Sequence, residues 1–366
     1  MADLNEYFPQ EVLHPCETLN EKLEEMGMSR KEFALRTGKP EKTIIAVLKG
    51  ESSITSEMAI LFENITRIPA HFWINKQARY SEYKARLKRR FAVNSAEEWT
   101  KSFPYPEMAK NEWVPKTRRL EEKTINLFEY FGVSTHEAWE NLYMKSKLKI
   151  AAYASLAYTL EPHAISAWLR QGELQAEQIA APEYNKKEFQ KILPQIKTIM
   201  ADHPHNFFTQ LQQLCLTAGV KVFYTPRMPK APISSSTRWI KGTPVIQLTA
   251  RYRQNDRFWF TFFHEAGHII LHGKKYISLE GIDFSEADPV KEQEAHAFAE
   301  EWTFSKQEEE EVLLQHTIDA DDVTKFAKKF NTHPAMIIGR LQHMGVIPFS
   351  VGKQFIEPID LSNLEH

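Results

Sequence analysis

The chain of 366 residues has room for two or three domains, and its 42% hydrophobic and 26% charged residues exclude a disordered, collagenous or coiled-coil protein. A formal net charge of −2 gives no overall basic character, so any contact with nucleic acid would need a local patch of positive charge. Because the two cysteines lack CxxC spacing and neither a signal-peptide pattern nor a long apolar run is present, we expect a cytoplasmic protein without disulfides, thiolate zinc sites or membrane spans.

Short helices separated by tight turns are predicted for residues 1–90, which we interpret as one all-α domain. Apolar residues at helical spacing place these helices near residues 16–26, 29–37, 41–48, 56–64 and 70–90. The last helix ends in a strongly basic stretch, from Lys76 to Arg90, that could face either solvent or phosphate groups.

A helix-turn-helix is predicted where the second and third of these helices meet. Ala34 is small enough for two helices to cross there, and Gly38 suits a left-handed turn between them. Ile44 and Leu48 would supply the inward face of the second helix of the pair.

The outward face of that second helix offers candidate DNA contacts. Lys42 and Thr43 lie where a recognition helix meets base edges in the major groove. Lys39 and Lys49 lie where the same helix meets phosphates. On these residues alone, an ordinary helical hairpin with exposed lysines is an equally good interpretation.

The order of motifs from His14-Pro15 to Trp73-Ile-Asn-Lys-Gln-Ala78 resembles the HigA-type antitoxins of the Xre helix-turn-helix group. The match covers nearly the whole first domain, and it implies that this domain binds DNA. Since one such motif reads a half-site, the resemblance also implies a homodimer on a palindromic operator, expected in the protein's own promoter.

Residues 91–188 continue the helical pattern without a chemical motif, and we interpret them as a helical connector. Residues 189–366 read as an α+β domain. Short strands are predicted there near 220–225, 237–241 and 244–249, followed by helices near 257–272, 289–302, 320–330 and 333–345. The predicted fold class is therefore multidomain, α and α+β, with a small sheet in the C-terminal domain.

The sharpest chemical signal is His264-Glu-Ala-Gly-His268, an HExxH sequence on a predicted helix. Residues four apart lie one turn above each other, so His264 and His268 can direct two imidazole nitrogens at one zinc ion. Glu265 would lie beside the open coordination position, as the general base that takes a proton from a zinc-activated water. The alternative is a buried helix whose histidines are only hydrogen-bonded.

A zinc hydrolase needs a third protein ligand. His272 lies eight residues, or about 12 Å, along the helix from His264, which is too far for one ion unless the helix breaks. Glu294 is preferred, because it shares a helical face with apolar neighbours and could point into the core. Glu292 is the fallback.

The HExxH sequence followed by Glu294-Ala-His-Ala-Phe-Ala299 resembles the ImmA/IrrE family of zinc peptidases, and the match covers about residues 189–350. The resemblance implies a zincin-like fold in which His264, His268 and Glu294 bind zinc and Glu265 is catalytic. Members of this family cleave or inactivate repressors of phage, mobile-element and stress genes. The resemblance therefore implies a regulatory protein as the substrate.

Two functions remain open on the sequence. The first is a DNA-binding regulator fused to a zinc endopeptidase that cleaves a repressor, a toxin partner or the chain itself. The second is an antitoxin or transcription factor whose zincin-like domain binds a partner or senses a signal without turnover. Only the first function needs Glu265 as a base.

Overall fold

A computed structural model describes residues 12–145, 161–231, 233–249, 254–276, 278–280, 289–315, 318–359 and 361. Contacts between residues divide the chain into two units, 1–95 and 96–366. The fold class expected from the sequence is confirmed, because the described part of the first unit is helical and the second unit combines helices with a small sheet. None of the described helices combines the length and the apolar composition needed to cross a bilayer.

The N-terminal unit consists, in its described residues, of α1 Pro15–Glu25, α2 Arg30–Thr37, α3 Glu41–Leu48, α4 Ser56–Thr66 and α5 Ala70–Ser95. Local capping explains the limits of α2. The Ser29 hydroxyl accepts a hydrogen bond from the backbone N–H of Glu32 at 3.2 Å, and Gly38 ends the helix with a φ of 65°. The core between the helices consists of fully buried side chains, among them Phe33, Ile44, Phe62 and Trp73.

The described part of the second unit begins with a group of helices. They are α6 Glu97–Lys101, α7 Tyr105–Lys110, α8 Leu120–Phe131, α9 His136–Trp139, a π-helix Glu140–Lys145, α10 Pro162–Gln178, α11 Lys186–Asp202 and α12 Phe207–Thr217. Ring centroids of Trp99 lie 4.8 Å from Phe103 and 5.8 Å from Trp139. The predicted domain limits at 90/91 and 188/189 stay predictions.

A four-stranded mixed sheet follows, with β1 Lys221–Tyr224, β2 Ser235–Ile240, β3 Thr243–Leu248 and β4 Ser278–Glu280 in the order β1-β3-β2-β4. β3 is parallel to β1, and β2 is antiparallel to both β3 and β4. Lys241 and Gly242 have φ values of 50° and 87°, which gives the tight turn that joins β2 to β3.

The remaining helices are α13 Asn255–Gly267, α14 Pro289–Thr303, α15 Lys306–Leu313, α16 Ala320–Phe330 and α17 Pro334–His343. α13 continues into a π-helix His268–His272 and a 3₁₀ turn Gly273–Lys275, and a second 3₁₀ turn spans Lys353–Phe355. Trp259, Phe262 and Phe263 of α13 are fully buried in the core of this unit. The helix predicted for 257–272 is therefore an α-helix that ends in a π-turn.

α13 and α14 pack closely because one residue at their contact has no side chain. A Cβ atom on Gly267 would lie 3.1 Å from Phe298 Cδ1 and 3.3 Å from Ala295 Cα. Phe263, one turn earlier in α13, stacks on Trp302, one turn later in α14, with centroids 6.2 Å apart. The two helices therefore run in opposite directions.

A buried polar network fastens α10 to the sheet. Arg238 donates hydrogen bonds to Gln247 Oε1 at 2.7 Å and to the carbonyl of Leu169 at 3.0 Å. The Gln247 amide donates in turn to the carbonyl of Trp168 at 2.9 Å and to Thr225 Oγ1 at 3.0 Å. The network requires the side chain of Gln247 to lie directly against α10.

The substitution Gly172→Ala tests this packing. In an open helix the change would stabilise by about 1 kcal/mol, but here the new Cβ would lie 2.0 Å from Gln247 Oε1. We expect the free energy of unfolding to fall by about 1–3 kcal/mol in urea denaturation. The matched change Gln178→Ala, at an exposed position of the same helix, should alter it by less than about 0.5 kcal/mol. Increased stability of Gly172→Ala would contradict the close contact.

Candidate metal centre and DNA-binding surface

The helix-turn-helix has the outward face expected from the sequence. Lys42 and Lys49 are exposed, and Thr43 is half-buried beside them. Lys39 differs, because its ammonium lies 2.6 Å from Glu57 Oε1 of α4 and its side chain is only 23% exposed. Three of the four candidate DNA contacts are thus accessible, and the fourth is held in an ion pair.

His264 and His268 lie one helical turn apart and point their rings at each other. Their Nε2 atoms are 3.0 Å apart, and the ring planes are nearly perpendicular, at 81°. Both residues are buried, with 7% and 1% of their surface exposed. Two imidazole nitrogens therefore converge on one point, as the HExxH spacing predicts.

A carboxylate from α14 completes this group. Glu292 Oε2 lies 3.2 Å from His264 Nε2 and 3.5 Å from His268 Nε2. Ligand atoms of a tetrahedral zinc ion, each about 2.0–2.2 Å from the metal, lie about 3.3 Å from one another. The separations in this group fit that value, and two imidazoles with one carboxylate are a ligand set of hydrolytic zinc sites.

Glu294, the third ligand expected from the sequence, is not part of this group. Its side chain is 55% exposed, and its Oε2 lies 3.0 Å from His272 Nε2. The inward face of α14 passes through Ala295 and Ala299, which are fully buried. Glu292 lies on this face, three residues before Ala295, whereas Glu294 does not. We therefore propose Glu292, the fallback from the sequence, as the third ligand in place of Glu294.

Glu294 instead ends a chain of hydrogen bonds behind His268. His268 Nδ1 lies 3.0 Å from His272 Nδ1, and the other nitrogen of His272 faces Glu294. If Nε2 of a neutral His268 ring binds metal, the ring carries its proton on Nδ1, and this N–H donates a hydrogen bond to Nδ1 of His272. The neutral His272 ring then carries its own proton on Nε2, the nitrogen that faces Glu294. Burial lowers the pKa of His272 despite the Glu294 contact, which favours the neutral ring that this chain requires.

Tyr276 holds the carboxylate of Glu292 from the other side. Its hydroxyl donates a hydrogen bond to Glu292 Oε1, and its ring stacks on His268 at 4.8 Å. Burial by itself would raise the pKa of Glu292, but the hydrogen bonds from His264, His268 and Tyr276 outweigh it and hold this pKa well below its usual range. The carboxylate is thus ionised, as a metal ligand must be. No spacing rule in the sequence indicated Tyr276.

Glu265 faces the sheet instead of α14. Its side chain is fully buried, and its Oε1 accepts a hydrogen bond of 2.5 Å from the hydroxyl of Ser235 on β2. Ser235 lies 30 positions earlier in the chain, so only the packing of α13 on β2 reveals this contact. The residue that directly follows His264 thus carries a buried carboxylate of fixed orientation, a group that can accept a proton.

Comparison with known protein families assigns the two parts of the chain. Residues 215–342 match the Peptidase_M78 family model, described as the IrrE N-terminal-like domain. Residues 19–73 match the model described as Helix-turn-helix. The chain thus joins a helix-turn-helix domain to a domain of the M78 peptidase family, and the two resemblances read from the sequence are confirmed for these segments.

The chain is also similar, over part of its length, to solved structures. An addiction module antidote protein of the HigA family from Coxiella burnetii is 28% identical over 24% of this chain and 95% of its own, with a TM-score of 0.22. The Pseudomonas aeruginosa antitoxin HigA with the higBA promoter is 29% identical over 20% of this chain and 83% of its own, with a TM-score of 0.20. The comparison with curated proteins gave no match.

Zinc content separates the two glutamates of α14. We expect about one zinc per chain in the wild type, where all three proposed ligands are present. Glu292→Ala removes one of these three ligands, so we expect a clear loss of zinc. Glu294→Ala should keep its zinc at saturating metal, with affinity reduced by about 10–100-fold, since it touches only His272. Elemental mass spectrometry of the purified proteins measures both. Retention of zinc in Glu292→Ala together with its loss from Glu294→Ala would reverse the assignment.

Proposed function

We propose that this protein is a DNA-binding transcriptional regulator of the antitoxin type, with a fused zinc endopeptidase domain that cleaves a regulatory protein. The observation that carries the peptidase part is the convergence of His264, His268 and Glu292 on one point, on the helix that also carries the buried carboxylate of Glu265. A hydrogen-bonded core helix would have no need for three metal-binding groups at these separations.

The residues of the site divide the work of hydrolysis. His264, His268 and Glu292 would hold zinc, which when bound supplies a Lewis acid that makes water acidic near neutral pH. Glu265 takes the proton of the attacking water on its carboxylate and delivers it to the leaving amine. Ser235 fixes that carboxylate through its hydrogen bond to Oε1, so that the proton acceptor keeps one orientation.

DNA binding is proposed for the face of α3. Lys42 and Thr43 would reach base edges, and Lys49 would meet phosphate. Lys39 stays in the proposed set, because a surface ion pair such as its contact with Glu57 is worth less than about 1 kcal/mol and can be exchanged for a phosphate. We propose a homodimer on a palindromic operator in the protein's own promoter, in the cytoplasm.

The covalent link between the DNA-binding domain and the proposed peptidase domain supports a regulatory protein as the substrate. A peptidase tethered to an operator meets other proteins of that operator at a high effective concentration. The proposed substrates are a repressor, a cognate toxin or the chain itself, in the connector proposed for 91–188.

Glu265→Gln tests whether the domain is an enzyme. The amide keeps the shape of the carboxylate but cannot accept the proton, so cleavage should fall at least about a hundredfold. Cells that express wild type or variant are compared by sequencing protein N-termini and by the activity of the operator. Zinc content and operator affinity serve as controls and should not change. Identical N-termini and normal regulation in the variant would instead favour a partner-binding or sensing domain without turnover.

Lys42→Ala combined with Thr43→Ala tests the DNA interface. Loss of base contacts worth about 1–3 kcal/mol each should weaken binding to the operator upstream of the gene by tenfold or more, measured by fluorescence anisotropy at fixed salt. Lys49→Ala should weaken binding to all DNA sequences alike. It should also reduce the slope of log affinity against log salt concentration by about one, because one phosphate contact is lost. Lys186→Ala, at an exposed position of α11, is the control. Unchanged affinity of the double variant would mean that this domain docks proteins instead.

A further inference from the structure

A cavity of about 430 Å³ opens where α13, α14 and α17 meet, and the hydrolytic chemistry described above does not use it. Its walls include Asp256, Phe260, His296, Glu300, Met336 and Gly339. This volume is typical of ligand-binding pockets. The cavity is therefore large enough to hold a ligand.

The cavity begins one helical turn from the metal centre. Asp256, Phe260 and His264 are spaced four apart on α13, so they form one row along the helix that starts in the cavity and ends at the metal ligands.

α14 presents the facing row in the opposite direction. Glu292, His296 and Glu300 are also spaced four apart. Glu292 meets His264 at the metal centre, and one turn away the rings of His296 and Phe260 are 4.9 Å apart. His296 is about half exposed, so the groove between the two rows is open to solvent at this middle level.

A carboxylate lies at the far end of the cavity. Asp256 Oδ1 is buried and has no hydrogen-bond partner among the described residues. Its other oxygen lies against α17, where a Cβ atom on Gly339 would be 2.7 Å from Oδ2. A buried acceptor without a donor is costly, so this atom favours a ligand that brings one.

The charges around Asp256 favour a cation. Arg340 also lines the cavity, but its guanidinium is bound by Glu300 at 2.5 Å and by Glu309 at 2.6 Å, which leaves that trio with one negative charge. Arg257 borders the cavity as an exposed residue. Burial raises the pKa of Asp256, and the smaller effects of backbone hydrogen bonds and of the Arg257 charge oppose that rise, so a cation beside the carboxyl would favour its ionised form.

The rest of the cavity suits an apolar stem. Phe260, Phe304 and Met336 contribute apolar walls to the cavity, and the last two are 3% and 5% exposed. Lysine and arginine carry their charge on three or four methylene groups that pack against such walls.

We propose that this cavity is a substrate subsite that binds a lysine or arginine side chain within two residues of the scissile bond. The proposal rests on the proposed peptidase function. Asp256 lies eight residues, or about 12 Å, along α13 from His264. An extended peptide advances about 3.4 Å per residue, so two residues and one long basic side chain span that distance.

The test uses fluorescein-labelled hexapeptide mixtures, randomised at five positions, with the third residue fixed as lysine, arginine, norleucine or glutamate. Binding is measured by anisotropy on the full zinc-loaded Glu265→Gln protein, which needs no turnover. Cleavage of the same mixtures is measured on the wild-type protein. Asp256→Asn, which keeps the side chain's shape, is added to both proteins, and Glu301→Gln, an exposed residue of α14, is the control. Thermal unfolding and zinc content verify that the variants fold.

We expect the lysine and arginine mixtures to bind about ten- to a hundredfold more tightly than the norleucine mixture. Asp256→Asn should reduce that preference to threefold or less, and Glu301→Gln should leave it intact. Equal binding of lysine and norleucine, with cleavage of both, would overturn the subsite and leave the peptidase. Preference for lysine without cleavage would support the subsite and overturn the peptidase. Neither binding nor cleavage would overturn both.

Discussion

The close contact between α13 and α14 is the constraint on which the chemistry of the second unit depends. Gly267 has no side chain, so the two helices approach until Phe298 Cδ1 and Ala295 Cα lie only 3.1 and 3.3 Å from the position that its Cβ would take. Only at this separation can Glu292 Oε2 come within 3.2 Å of His264 Nε2. A larger residue at 267 would push α14 outward, and the third ligand would leave the group before either histidine moved.

One helix contacts two different neighbours because successive residues of an α-helix point about 100° apart. His264 and His268 face α14, whereas Glu265 faces β2 and is held there by Ser235. The π-turn that starts at His268 carries His272 close enough to hydrogen-bond to that histidine. The histidine pair and Glu265 are therefore held by two different neighbouring elements.

Much of this arrangement follows from local sequence. Gly38 ends α2 in the left-handed conformation that its lack of a side chain predicts, and α3 begins and ends where the apolar spacing places it. The HExxH spacing likewise brings two imidazole nitrogens to within 3.0 Å of each other. These features depend on contacts within one helix or one turn, where backbone geometry alone sets the distances.

The sequence by itself determined the helix-turn-helix, three strands of the small sheet and the histidine pair, because each follows a period of two or 3.6 residues or a turn signal. It did not indicate β4, which has only three residues. Tertiary structure alone decided which glutamate of α14 joins the histidines. Small and apolar neighbours suggested the face of Glu294, yet Ala297 is exposed and the buried face runs through Ala295 and Ala299. Alanine fits either face of a helix, so the rotation of α14 about its axis is set only by its packing on α13. The contacts of Tyr276 with Glu292, of Ser235 with Glu265 and of Asp256 with α17 depend on packing in the same way, since each joins elements whose relative positions no local pattern contains.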